Sequence, residues 1–233
     1  MKIKGPLIKG NFIDRPNRFL TIVKIKDKYV KSHLPDPGRL KEILTPGRVL
    51  FLRKDKFSTN RKTRYTTVLT DINGELVSLI STLPNLFIKE CIELNRLSFL
   101  DGLSIKKQEI RYGKHRFDFL LTDKENKPFY LEVKSVTYVE NGIAKFPDAI
   151  TERGKKHVKE LCNLVKAGFQ AGIIFVVQRS DAKIFQPMWD RDPKFCNALY
   201  NAKQCGVNIW CIKARFTKRD MTFISEIPIN FKP

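Results

Sequence analysis

The stretch Arg116-Phe-Asp-Phe-Leu-Leu-Thr-Asp-Lys-Glu-Asn-Lys-Pro-Phe-Tyr-Leu-Glu-Val-Lys134 decides how the chain is read. Apolar runs at 117–121 and 129–133 flank a polar segment at 123–128, the pattern of two strands joined by a turn. With the turn centred on Glu125, antiparallel pairing sets Asp118 opposite Glu132. Directly opposed side chains have Cβ atoms roughly 4.5–5.5 Å apart, so the two carboxylates repel each other. A divalent cation turns that cost into a binding site, because Mg²⁺ takes one or two carboxylates together with phosphate and water oxygens. Lys134 lies two residues past Glu132, on the same strand face, where it could orient a water or stabilise charge developing on a phosphate. The alternative is a solvated hairpin edge with a Glu–Lys pair. The apolar neighbours Phe117, Phe119, Leu131 and Val133 weigh against it, since acids set among such residues rarely stand without a partner.

Working outward, residues 84–99 read as a helix with Leu83, Phe87, Cys91 and Leu94 at helical spacing. Strands are expected at 104–112, 116–122 and 129–137. Thr151 is a plausible N-cap for a helix with apolar positions 158, 161, 162 and 165, stopped by Gly168. The run 171–177 is apolar throughout, the mark of a strand buried on both faces. Asp192-Pro193 opens another helix ending at Gly206, and 207–214 is the last clear strand. The order α-β-β-β-α-β-α-β describes a helix-flanked mixed sheet. Glu90 falls on the apolar stripe of the first helix. Either it faces inward and completes the carboxylate site, or the helix is rotated and Glu90 sits at its boundary in water.

The first 80 residues have a different texture. Short strands are expected at 20–26, 29–33, 49–53, 65–72 and 76–80, with a short helical piece at 39–44 and a hairpin at Asn73-Gly74. This suggests a partly open, five-stranded barrel of the OB type, although other small barrels fit the same pattern. The expected organisation is an α+β or α/β chain in two domains, an OB-like nucleic-acid-binding domain at 1–82 and a mixed-sheet domain at 83–233. Arg53, Lys54, Lys56, Arg61, Lys62 and Arg64 cluster with Phe57 and Tyr65. Cations interleaved with rings suit a groove for single strands, with charge for phosphates and rings for stacking. The plainer reading is a charged loop with core aromatics. His33 and Asp36, beside two prolines, are read as shaping a loop.

Composition points to the same partner. The 233 residues carry 44 Lys and Arg against 24 Asp and Glu, a formal charge of +20, and 18 of those cations lie in the first 80 residues. A surplus of that size suggests a polyanion, with a lysine-rich solvated surface as the alternative. Neither a recognition helix nor a zinc finger is evident, so backbone or shape recognition is favoured over base readout. No apolar run approaches the roughly 20 residues of a membrane span, and no stretch has signal-peptide character. The five cysteines are odd in number and contain no C-x-x-C pair, so a disulfide framework and structural zinc are not expected and reduced thiols in a cytoplasm fit best.

Arg153, His157 and Glu160 share one face of the helix that follows Thr151. Lys155 and Lys156 lie near its start, where the helix dipole attracts anions. That arrangement suits a phosphate backbone passing the carboxylates. An exposed face with ordinary ion pairs is the alternative, and His157 alone does not separate the two.

An α-β-β-β-α-β core with Asp…Glu-x-Lys resembles the PD-(D/E)XK nuclease superfamily. The resemblance implies that Asp118 and Glu132 hold Mg²⁺ or Mn²⁺, that Lys134 assists the attacking water, and that Glu90 is the acid of the first helix. Phe117 stands where the signature has proline, a position that varies. A longer match covers Arg18-Phe-Leu, His33-Leu-Pro-Asp-Pro-Gly-Arg39-Leu, Arg61-Lys-Thr-Arg-Tyr-Thr66, Arg116-Phe-Asp-Phe-Leu-Leu121, Glu132-Val-Lys-Ser-Val-Thr137 and Lys145-Phe-Pro-Asp-Ala-Ile-Thr-Glu-Arg-Gly-Lys-Lys-His157. In these segments the chain is similar to the sugar fermentation stimulation protein family, described as DNA-binding with an OB-like part and a nuclease-like part. The resemblance implies a nucleic-acid partner, most readily DNA with RNA as the other option, and no membrane partner. Arg18, Arg39, Arg53, Lys54, Arg61, Lys62, Arg64, Tyr65, Arg153, Lys156 and His157 are the expected contacts. Three functions remain, a Mg²⁺-dependent phosphodiesterase, a non-enzymatic DNA-binding regulator on a nuclease-like fold, and, less favoured, a ribosome- or RNA-associated factor that fits the charge; metal dependence separates the first two. The oligomeric state is open, a homodimer among the options.

Overall fold

The computed structural model describes residues 1–55 and 63–232. The first part is built from β1 (Leu7–Asn17), β2 (Leu20–Ile25), β3 (Lys28–His33), β4 (Val49–Lys54), β5 (Tyr65–Ile72) and β6 (Glu75–Ser78). Antiparallel pairs β1–β2, β2–β3, β1–β4 and β4–β5 are closed by a parallel contact of β3 with β5, Ser32 opposite Tyr65 and His33 opposite Thr66. The result is a closed five-stranded barrel, with β6 folded back on β5. Asn73 and Gly74 both have positive φ, which is the backbone a tight hairpin of this hand requires. Val23, Leu34, Leu50, Leu52, Val77 and Leu79 fill the interior. The hydroxyls of Thr21 and Ser32 lie 3.0 and 2.9 Å from that of Thr67, so the buried polar side chains there satisfy one another.

Two sequence expectations change here. β1 is the longest barrel strand and lies outside the expected strands, because Leu-Ile-Lys-Gly-Asn-Phe-Ile-Asp-Arg-Pro-Asn has no clean alternation and only Gly10 and Phe12 are buried. Gly10 allows close approach of β2, since a Cβ there would lie 2.7 Å from Val23 Cγ1. The expected helix at 39–44 is a single turn in which the Ile43 and Leu44 N–H groups donate to the Leu40 carbonyl.

The second part contains α1 (Leu83–Glu93), β7 (Ser104–Tyr112), β8 (His115–Thr122), β9 (Pro128–Val136), β10 (Val139–Glu140), β11 (Ile143–Phe146), α2 (Glu152–Lys166), β12 (Gln170–Val177), β13 (Ile184–Pro187), α3 (Pro193–Gln204), β14 (Asn208–Phe216) and β15 (Met221–Glu226). A six-stranded mixed sheet runs β15-β14-β12-β9-β8-β7, and β10-β11-β13 form a small second sheet. The apolar run in β12 divides as expected. Ile174 and Val176 pack with Phe87, Ile88 and Cys91 of α1, while Ile173, Phe175 and Val177 pack with Val158 and Leu161 of α2 and Phe195 of α3. Phe51, Val68 and Leu69 of the barrel join the α1 side of this core, so the two parts share apolar packing.

Caps follow the sequence. The Thr151 hydroxyl accepts from Gly154 N–H, and Asp192 accepts from Phe195 N–H with one oxygen and from Thr151 N–H with the other. Asp192 thus ties the starts of α2 and α3 together. The cysteine expectation is corrected. Cys162 on α2 is disulfide-bonded to Cys205 after α3, and the free cysteines 91, 196 and 211 are buried. The two partners are 43 residues apart, a pairing that spacing alone does not reveal. Among the described residues, no helix is long and apolar enough to cross a membrane.

Candidate metal centre and nucleic-acid cleft

The β8–β9 hairpin has the register read from the sequence, with Phe119 opposite Leu131, Leu120 opposite Tyr130 and Leu121 opposite Phe129. The ladder stops one step short of Asp118. On the other side, Gln108 and Ile110 of β7 face Phe119 and Phe117, which sets Glu109 beside Asp118. Glu109 has φ +56°, a left-handed conformation that costs a residue with a Cβ on the order of 1 kcal/mol. The pleat breaks at this point. Phe117 enters the core under α2 while Phe119, two residues on, enters the core under α1. The break lets the Asp118 carboxylate take the place of a ladder acceptor, and Oδ2 accepts from Val133 N–H at 2.8 Å. Oδ1 accepts from the Asn85 amide of α1 at 2.6 Å.

Glu132 is 3% exposed. Its Oε1 accepts from the Lys134 ammonium and lies 2.7 Å from His157 Nδ1, while Oε2 is buried with no hydrogen-bond partner among the described residues. Burial works against its ionisation, but Lys134 and His157 outweigh it and hold the carboxyl below its ordinary range. Asp118 moves the other way. Burial first, then the neighbouring Glu132, push it up to about 6, against the Val133 N–H, Lys134 and Asn85. The two acids therefore differ in proton affinity at one site, the pattern of paired carboxylates with distinct roles.

The pair lies in a cleft of about 830 Å³ between barrel and mixed sheet, bordered also by Arg18, Arg39, Lys134 and Arg153. Two segments distant in sequence build its rim. Arg39 N–H donates to Asp148 Oδ2 at 2.9 Å, and Gly38 N–H donates to Asp36 Oδ1 at 2.8 Å. The Arg15 guanidinium donates to the carbonyls of Arg39, Arg18 and Asp36, fixing this loop against β1. Burial, with Asp148 adding to it, pushes Asp36 up to about 6, against the Gly38 N–H and Arg15.

Asp118, Glu132, Lys134, Arg18, Arg39 and Arg153 are thus brought to one cleft. Lys156 and His157 border the neighbouring cavity on the same face of α2, with Arg153 shared between them. Glu90 is not brought in. Its carboxylate is 2.8 Å from the Met1 amine and 3.7 Å from Arg96, and Asn85, on the same helix, reaches Asp118 instead. Arg53 bonds Asp55, Tyr65 packs against the barrel core, and neither these nor Lys54 and Arg64 border the cleft. Arg61 and Lys62, with Lys56 and Phe57, lie outside the described residues. Sequence reasoning passed over Asn85, Arg15 and Asp148. A neutral amide carries no charge signal, and Asp148 gains meaning only when the loop at 36–39 folds onto it.

The donor set fits a hard divalent cation. Two carboxylates face one cleft, one with a buried oxygen lacking any partner, an arrangement that costs stability unless a cation or donor meets it. Among the described residues no group of three or more His, Cys, Asp or Glu side chains forms a metal cage, so water or substrate oxygens would complete the coordination.

The structure defines a class of protein in which an OB-type barrel forms one wall of a carboxylate cleft in a mixed α/β domain. The SfsA N-terminal OB domain matches residues 13–79, and the sugar fermentation stimulation protein RE domain matches residues 82–220. The chain belongs to the sugar fermentation stimulation protein family. A homolog from Clostridium tetani is 38% identical over 229 residues, covering 98% of this chain and 99% of that protein. One from Clostridium novyi is 41% identical over 211 residues, covering 91% of each. The solved structure of Pyrococcus furiosus SfsA in complex with Ca²⁺ superimposes with a TM-score of 0.90 at 28% identity, over 99% of this chain and 98% of that one.

Proposed function

We propose that the chain binds DNA without strong sequence preference and hydrolyses a phosphodiester in this cleft, with Asp118 and Glu132 holding Mg²⁺ or Mn²⁺. The carrying observation is the buried, unpartnered Oε2 of Glu132 in the same cleft as Asp118. A protein that only bound DNA would gain nothing from two carboxylates facing phosphates. The Ca²⁺ complex of the Pyrococcus furiosus relative supports the reading, Ca²⁺ being a cation that takes the same oxygen ligands. When bound, the ion would polarise a phosphate oxygen and lower the pKa of a water.

The chain's own residues supply the rest. Asn85 and Val133 N–H fix Asp118, and His157 fixes Glu132. Lys134 is the catalytic cation, placed to orient the attacking water or to neutralise charge developing on the phosphate. Because His157 also holds Glu132, the carboxylate keeps a partner when the ammonium turns to a phosphate. Arg18, Arg39 and Arg153 grip the strand on either side.

A cleavage assay tests this on labelled single-stranded, duplex and branched DNA and on RNA, with Mg²⁺, Mn²⁺ or chelator. Metal-dependent products from wild type, absent with Asp118→Ala and Lys134→Ala, are expected. No product on any substrate, with salt-sensitive DNA binding unchanged in both variants, would leave a DNA-binding protein on a nuclease-like fold.

A further inference from the structure

Beside the cleft lies a second cavity, of about 1040 Å³, walled by the β7–β8 hairpin and α2. Six cations border it, namely Arg111, Lys114 and Arg116 from the hairpin and Arg153, Lys156 and Lys159 from the helix. Among the described residues Glu160 is the one acid on its wall, and that carboxylate lies 3.8 Å from His115 and accepts from the Asn163 amide. Arg116 pairs with Glu109. The other five have no ion pair among the described residues, so positive charge outweighs negative on this concavity. Such a gathering costs folding free energy unless an anion fills it.

We infer that this cavity takes phosphates of the same nucleic-acid strand whose scissile phosphodiester lies at Asp118 and Glu132, a reading that rests on the function proposed above. Continuity supports it. Arg153 borders both cavities, and His157, bonded through Nδ1 to Glu132 of the cleft, borders the second. Arg153 and His157 stand one turn apart on α2, so the carboxylates and the cationic cavity adjoin through two side chains of one helix, along which successive phosphates of a strand can pass. A flat membrane surface would not enter a concavity between a hairpin and a helix, and an acidic peptide would find no apolar anchor among these side chains.

The test measures affinity in chelator, so that no cleavage occurs, using a fluorescein-labelled DNA oligonucleotide, single-stranded and as a duplex, across a salt series. Lys114→Glu/Lys159→Glu is compared with Lys106→Glu/Lys124→Glu. All four side chains are exposed, and the second pair borders neither cavity while changing net charge equally. The first variant should lose roughly tenfold or more in affinity, and its slope of log affinity against log salt should shrink by about two, while the second loses far less. Melting curves and Mn²⁺ titrations of both should match wild type. Equal losses in the two variants, or none in the first, overturn the cavity while leaving hydrolysis standing. Absence of metal-dependent cleavage overturns the hydrolysis and still leaves the affinities to decide the cavity. No DNA binding by wild type at low salt overturns both.

Discussion

His157 Nδ1 lies 2.7 Å from Glu132 Oε1, joining α2 to the strand that carries the carboxylate, and both residues are buried. Glu132 thereby keeps two partners on one oxygen and leaves the other for a ligand. His157→Ala leaves the carboxylate with Lys134 alone and opens a void beside Phe117, whose ring centroid is 5.9 Å from the imidazole. A loss of about 1–3 kcal/mol is expected, read by thermal melting. Cleavage should fall mainly in kcat, since Lys134 must then remain on Glu132. His157→Gln, which can still donate to Oε1, should recover much of kcat. Equal loss with both substitutions would mean that the ring's bulk, not its hydrogen bond, is what matters.

Asp118 allows a test of opposite sign. A carboxyl raised from 3.8 to about 6 contributes stability that is complete below 3.8 and lost as pH rises through about 6. At neutral pH the metal-free protein therefore carries a cost, at most about 3 kcal/mol. Asp118→Asn removes it while keeping the contacts, because the new amide can accept from Val133 N–H and donate to a turned Asn85 amide. In chelator the variant should melt higher than wild type at pH 7.5, with the gap closing toward pH 4. In Mn²⁺ the order should reverse, since only wild type gains from the ion. A variant that melts lower in chelator at pH 7.5 would show that Asp118 is well paired without metal.

How far these relationships could be read in the sequence follows from their geometry. The β8–β9 register over residues 119–122 was legible because a hairpin's pairing is set by symmetry about its turn. The two-sided burial of β12 and the caps at Thr151 and Asp192 were legible because each is a local signal. Glu90 misled because helical spacing gives a face and not the partners on it, and Asn85 holds that role five residues earlier in the same helix. β1 escaped because its burial is set by Gly10 and by pairing on both edges rather than by alternation. The cleft itself was out of reach, since Arg39 and Asp148 meet across 109 residues.

Gly38 sits where those segments meet. A Cβ on it would lie 2.9 Å from Asp36 Oδ1 and 2.9 Å from Asp148 Oδ2, and both oxygens are held by backbone N–H groups, so neither can retreat without losing a bond. Gly38→Ala should cost about 1–3 kcal/mol, a fall in Tm of a few degrees, and should weaken DNA binding by displacing Arg39. Asp148→Ala in the same background relieves half of the clash and should restore part of the stability. If Gly38→Ala melts with wild type, the loop yields more easily than its hydrogen bonds suggest.

The Cys162–Cys205 bond closes a 43-residue loop across α2, β12, β13 and α3. By chain entropy alone such a loop constrains the unfolded state by about 4 kcal/mol. In a chain of this size that corresponds to a Tm shift on the order of 10 °C. The site should be insulated from its loss, because the start of α2, which carries Arg153 and His157, is also held by Thr151 N–H on the Asp192 carboxylate. Cys162→Ala/Cys205→Ala, or wild type in reductant, should therefore melt lower yet bind DNA and cleave it normally well below its Tm. Thiol titration of the denatured, unreduced protein should find three groups, matching the buried Cys91, Cys196 and Cys211. Five titrating thiols, with no change in Tm on adding reductant, would show that the bond does not form in solution and would restore the reduced state expected from cysteine spacing alone.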